Sequence, residues 1–77
     1  MIYERLRALR EDKDITQAEM ARLLHVSQRA YSRYENGERE ISLSSLCILA
    51  DYHKTSVDYL LNRTNEKKPY PKAYSKS

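Results

Sequence analysis

The stretch from Thr16 to Gly37 leaves this chain little choice of fold. Thr16 is a strong N-cap, and Glu19 three positions later completes a capping box, so a helix is expected to begin at Gln17. Met20, Ala21, Leu23 and Leu24 form an apolar stripe along it, while Gln17, Glu19 and Arg22 fall on the solvated side. His25-Val26 breaks the pattern and Ser27 supplies a second N-cap. A further helix is expected from Gln28 to about Asn36, with Gly37 stopping it in the left-handed conformation that glycine adopts without steric cost. Two short helices joined by a turn this tight must pack on each other, and Ala21, small and at their crossing, lets them approach closely. The turn has no glycine, unlike the usual helix-turn-helix, and Val26 is expected to anchor it in the core instead.

On the second of these helices Ala30, Tyr31 and Tyr34 share one face, which leaves Gln28, Arg29, Ser32, Arg33 and Asn36 on the other. A short capped helix with long hydrogen-bonding side chains outward can present them to base edges in a DNA major groove. The plain alternative is an antiparallel helical pair in any small bundle, its polar face merely solvated. Capping boxes and apolar stripes are common one at a time. Their combination with this outer face favours the DNA-reading interpretation.

The remaining segments extend the same pattern. A first helix is expected over about Ile2 to Asp12, with Ile2, Leu6 and Leu9 on one face, and Ile15 packs as a staple against Met20. After Gly37 comes a polar loop with Ile41 as its inward anchor. Ser42 caps a fourth helix from Leu43 to about His53, with Leu43, Leu46, Leu49 and Ala50 at helical spacing. Ser56 caps a short fifth helix, Val57 to Leu61, with Asp58 well placed near its positive end. The expected architecture is all-α, a compact five-helix bundle over residues 1–62, followed by a basic tail over 63–77. That tail holds both prolines and no apolar periodicity, and the expectation is that it is flexible. Two functional alternatives stand beside that: Lys67, Lys68, Lys72 and Lys76 touching phosphates, or Tyr70 and Tyr74 docking on a partner subunit.

Seventy-seven residues allow one small core and no separate sensor or catalytic domain. There is no apolar stretch near 20 residues and no signal peptide, so a soluble, cytoplasmic protein is expected. Cys47 lies in the run Leu46-Cys47-Ile48-Leu49-Ala50 and reads as a small core hydrophobe. Cys47, His25 and His53 have no metal-ligand spacing, and no cofactor is expected. An enzyme is rejected: Glu35 and His53 lack suitable neighbours for paired acid–base work, and there is no phosphate-binding loop or nucleophile motif. The net charge of +3 is unevenly spread. Residues 1–61 hold nine Lys/Arg against ten Asp/Glu, and residues 62–77 hold five against one. The helical part therefore does not attract nucleic acid by bulk charge. Its affinity must come from where charges sit, notably Arg29, Arg33 and Arg39, and salt is expected to matter strongly.

With this layout the chain resembles the lambdoid phage repressor and Cro family of DNA-binding domains, often called XRE-type, over roughly residues 3–62. The resemblance rests on Thr16-Gln17-Ala18-Glu19-Met20-Ala21, Ser27-Gln28, Tyr34-Glu35-Asn36-Gly37-Glu38-Arg39, and Ser56 through Thr64. It implies a lambda-repressor-like fold and a transcriptional repressor that binds a pseudo-palindromic operator as a homodimer. It also implies roles for individual residues. Gln17 resembles the glutamine that bonds a phosphate and braces the recognition helix, and Gln28 the one that pairs with an adenine, which suits an amide able to accept from N6 and donate to N7. Arg29 and Arg33 could each reach a guanine, with a phosphate contact nearly as reasonable. Ser27 and Ser32 would touch a phosphate or a thymine methyl at the rim. Asn36, Arg39 and Ser44 lie where the family grips the backbone, and Arg10 with Glu35 matches a structural ion pair. Tyr31 and Tyr34 are larger than the aliphatic residues common in the family at these places.

Dimerisation follows from size: one recognition helix covers only about 4 to 5 base pairs, so two copies roughly 34 Å apart are the economical arrangement. The candidate surface is the fifth helix with Tyr59 and the start of the tail. The competing function is an antitoxin-like or regulatory subunit whose main role is to hold a protein partner.

Overall fold

The computed structural model describes residues 3–69. Over that range the chain forms five helices: α1 (Glu4–Asp12), α2 (Gln17–Leu24), α3 (Gln28–Asn36), α4 (Leu43–Tyr52) and α5 (Val57–Leu60). α2 packs on α3, α1 on both α3 and α5, and α4 on α5.

Local chemistry sets where four of the helices start, while α1 begins after Tyr3 with no side-chain cap. The Thr16 hydroxyl accepts from the Glu19 amide at 3.1 Å, and the Glu19 carboxylate accepts from the Thr16 amide at 3.4 Å. Ser27, Ser42 and Ser56 cap α3, α4 and α5 in the same way, each accepting from the amide three residues on. The helix ends also share one device. Asp14, His25, Gly37, Lys54 and Asn62 all have positive φ. The residue after each donates its amide to the carbonyl five positions back, for example Val26 to Ala21 at 2.9 Å and Glu38 to Arg33 at 2.9 Å. Four of these five positions are not glycine, and each of the four carries a steric cost of about 1 kcal/mol. His25 explains how the turn between α2 and α3 closes without glycine.

The core contains Leu6 and Leu9 of α1, Met20, Ala21 and Leu24 of α2, and Tyr31 and Tyr34 of α3. It is completed by Tyr3, Ile41, Leu46, Leu49, Ala50 and Leu60. The two tyrosine rings meet edge to face at 6.4 Å, so the large residues expected on the inner face of α3 are accommodated as an aromatic pair. Ile2, expected on the core face of the first helix, lies outside the described residues.

Two expectations for α4 are corrected. Leu43 is 71% exposed and Cys47 is exposed, so neither belongs to the core. Leu43 has the right spacing, but it is the first residue of the helix. A helical side chain leans toward the N-terminus, so Leu43 projects off the end of α4, beyond its neighbours. Cys47 is rotated by one residue from the buried stripe of Leu46, Leu49, Ala50 and His53. An unbroken apolar run does not reveal that rotation.

In the segment expected as the start of a flexible tail, Thr64, Asn65 and Lys67 hydrogen-bond to residues of the bundle. The Arg5 guanidinium donates to the Tyr59 carbonyl at 2.9 Å, to the Thr64 carbonyl, and to the Asn65 side chain at 3.0 Å. Its plane also lies over the Tyr59 ring at 4.0 Å. The Thr55 hydroxyl donates to the Lys67 carbonyl at 2.6 Å. Tyr70, Lys72, Tyr74 and Lys76 lie outside the described residues.

Candidate nucleic-acid interface

One carboxylate organises the inner side of α3. Glu35 is buried, and its side chain has no exposed surface. Arg10 of α1 grips it with two bonds, Nε to Oε2 at 2.7 Å and Nη2 to Oε1 at 3.2 Å. Gln17 at the start of α2 donates to Oε1 at 3.1 Å, and Arg7 of α1 stands 3.7 Å from the same oxygen. Arg10 also donates to the Ile15 carbonyl at 3.0 Å, fixing the chain between α1 and α2. Three helices therefore converge on one residue.

The electrostatics follow from that geometry. Burial alone would raise the Glu35 carboxyl, but the bond from Arg10, with the Tyr31 hydroxyl and Gln17 beside it, outweighs burial and holds it below the ordinary carboxylate value. The bond to Glu35 raises Arg10 in turn. Burial, with Glu35 next to it, pushes the Tyr31 phenol far above its ordinary value, so Tyr31 stays neutral. Its hydroxyl is buried without a hydrogen bond of ordinary geometry.

The outer side of α3 is built differently. Gln28, Arg29, Ser32 and Arg33 line an open depression of about 510 Å³ together with Gln17 and Asn36, and Glu38 adds one acid at its edge. Among the described residues, none of the Gln28, Arg29, Ser32 and Arg33 side chains makes a hydrogen bond or ion pair. Gln17 is shared between the two sides: it braces Glu35 and also borders the depression. Asn36 Oδ1 accepts from Arg7 Nη2 at 3.2 Å. Ser27 is occupied as the α3 cap, with its hydroxyl hydrogen left to donate. Arg39 and Ser44 are exposed but do not line the depression, and the Ser44 hydroxyl lies 3.2 Å from that of Ser42.

Arg7 carried no signal in the sequence beyond its position three residues before Arg10 on the same helix. Glu38, part of the motif Tyr34 to Arg39, has no role implied by the resemblance. Among the described residues, no group of three or more His, Cys, Asp or Glu could hold a metal ion, and no helix is long and apolar enough to cross a membrane.

The helix-turn-helix family profile matches residues 6–60, from α1 through α5. The chain belongs to the XRE-type helix-turn-helix family. It is 38% identical over 73 residues to the HTH-type transcriptional regulator AnsR of Bacillus subtilis, covering 95% of this chain and 63% of that protein. It is 37% identical over 60 residues to the antitoxin PezA of Streptococcus pneumoniae, covering 78% of this chain and 37% of that one. The chain thus spans less than two thirds of these curated relatives. Among solved structures it is similar to the P22 c2 repressor in complex with a synthetic operator, with a TM-score of 0.74 and 34% identity. That match covers 83% of this chain and 98% of the repressor chain, and it establishes the lambda-like repressor fold.

Proposed function

We propose that this chain is a sequence-specific, DNA-binding transcriptional regulator of the cytoplasm, a repressor that binds a pseudo-palindromic operator as a homodimer. The observation that carries the reading is the division of α3 into two sides. Its inner side is fixed through Glu35 to α1 and α2, while the Gln28, Arg29, Ser32 and Arg33 side chains stand outward with no hydrogen bond or ion pair among the described residues. A helix held this way presents its side chains to a major groove in a defined register. The similarity to a repressor bound to its operator and to a transcriptional regulator supports the same reading.

In this reading Gln28, Arg29, Ser32 and Arg33 meet base edges. Gln17, Ser27, Asn36, Arg39 and Ser44 meet the phosphate backbone, which sets position and orientation without reading sequence. Arg10 and Glu35 hold the element in place. Two copies roughly 34 Å apart would address the two half-sites of the operator.

Selection of bound duplexes from a random pool at near-physiological salt tests the function. The expected result is a twofold-symmetric site with half-site centres one helical turn apart. Failure to enrich any sequence with folded protein would overturn it. The similarity to PezA supports a second reading, a subunit that mainly holds a protein partner, which would then gain the weight.

Individual roles are separable on the selected site. Gln28→Ala is expected to cost about 1–3 kcal/mol on the operator and little on random DNA, measured by titration of labelled duplexes. Equal losses on both would remove Gln28 from the readers. Arg39→Ala is expected to weaken all sequences alike and to reduce the salt slope by about 1, and a sequence-selective loss would contradict a phosphate contact.

A further inference from the structure

Asn36 sits at a junction. It borders the depression beneath Gln28, Arg29 and Arg33, and it also borders a second hollow of about 370 Å³ between α1 and the end of α3. In that second hollow the Arg7 guanidinium donates to Asn36 Oδ1. Arg7 is in turn held by the Glu35 carboxylate, although half of its own side chain remains in solvent.

The chemistry of the two groups decides which way the amide points. A guanidinium has five N–H donors and no acceptor, so it can engage only the carbonyl oxygen of an asparagine. The amide is planar, with its NH2 on the side opposite that oxygen's partner. Asn36 Nδ2 makes no hydrogen bond among the described residues. A DNA phosphate offers acceptors only, so a backbone contact by Asn36 needs that NH2 outward. A free asparagine would sample both orientations, and half of them would present a carbonyl to a phosphate.

We infer that Arg7 is a positioning residue that fixes the Asn36 amide with its NH2, and not its carbonyl, toward a DNA phosphate. The inference rests on the proposed function and names a residue on α1, away from the outer face of α3, that sets how well the interface binds. Glu35 thereby serves both sides: it braces α3 directly and steadies the guanidinium that orients Asn36.

A double-mutant cycle on the selected operator duplex tests this with the full chain. Arg7→Ala is expected to weaken binding by about 5- to 10-fold and Asn36→Ala by about 10-fold. The double variant is expected to bind no more weakly than Asn36→Ala alone, because Arg7 acts through Asn36. Arg7→Lys, which keeps a donor-only head, is expected to recover most of the lost affinity. Thermal unfolding of the same four proteins gives the structural control, since any loss of the Arg7–Glu35 contact shifts stability equally in both backgrounds. Equal loss from Arg7→Ala with and without Asn36 would overturn the inference and make Arg7 a direct phosphate contact. No loss from Arg7→Ala would overturn it as well. A wild-type chain that enriches no DNA sequence would remove the proposed function and this inference together, which is distinguishable from either failure above.

Discussion

Replacing Glu35 by alanine is expected to destabilise the folded chain by about 3–5 kcal/mol, the usual cost of removing one partner from a buried ion pair. Native domains have only about 5–15 kcal/mol of stability in total, so the variant would stand close to unfolding at room temperature. The loss is large because the vacated site strands three groups at once. Arg10, whose side chain is 13% exposed, keeps its charge with no counter-ion. Gln17 and Arg7 lose the acceptor that orients them. Urea denaturation followed by circular dichroism would measure the difference. A cost below about 1 kcal/mol would mean that water solvates Arg10 freely and that the convergence of α1, α2 and α3 on Glu35 is incidental. Exchanging the whole pair, Arg10→Met with Glu35→Leu, is expected to recover much of the loss, since no buried charge then lacks a partner.

The second large effect concerns acidity. His53 closes the buried stripe of α4 and is only 3% exposed, with neither ring nitrogen hydrogen-bonded. The Tyr52 ring stands edge-on to it at 5.2 Å. Burial, with the positive charges of Lys13 and Lys67 nearby, lowers its pKa from 6.5 to about 4. The unfolded chain therefore takes up a proton at a pH where the folded chain does not. Stability is complete above pH 6.5 and falls as the pH drops toward 4, by about 3 kcal/mol across the window. His53→Leu is expected to flatten the profile between those limits and to raise stability at pH 5. Denaturation midpoints at half-unit steps of pH would show it, and an unchanged slope in the variant would assign the acid sensitivity elsewhere. The Glu35 carboxyl cannot mimic the effect, because its value lies below 4.5 and its contribution is lost only at lower pH.

What the sequence made legible is what neighbouring residues decide between themselves. Thr16 with Glu19, and Ser27, Ser42 and Ser56, act on amides three residues away, so the starts of four helices could be read directly. The tyrosine face of α3 followed from spacing, and its polar complement with it. The misreadings of Leu43 and Cys47 arose where helical spacing or apolar character was consulted without the end of the helix or its rotation. The Arg5 clasp on Tyr59, Thr64 and Asn65 joins residues 54 to 60 apart, and no local pattern announces such a contact. The grouping of Arg7, Arg10 and Gln17 on Glu35 spans 18 to 28 positions, and only the resemblance to a known family pointed to the Arg10 pair and to Gln17 as a brace. The left-handed residues at Asp14, His25, Lys54 and Asn62 were hidden for another reason: glycine is the usual signal for that conformation, and none of the four is glycine.

The bare outer face of α3 has an evolutionary consequence. Among the described residues the Gln28, Arg29, Ser32 and Arg33 side chains make no hydrogen bond or ion pair, while Tyr31, Tyr34 and Glu35, interleaved with them along the same nine-residue helix, are buried. Changes at the four outward positions are therefore nearly neutral for folding, and changes at the three inward ones are not. If these four side chains read bases as proposed, lineages carrying this domain could drift to new operators by altering single letters of one helix, with no compensating change elsewhere. A scaffold whose message can be rewritten without touching its frame is well suited to diverge after duplication into regulators that ignore one another's sites.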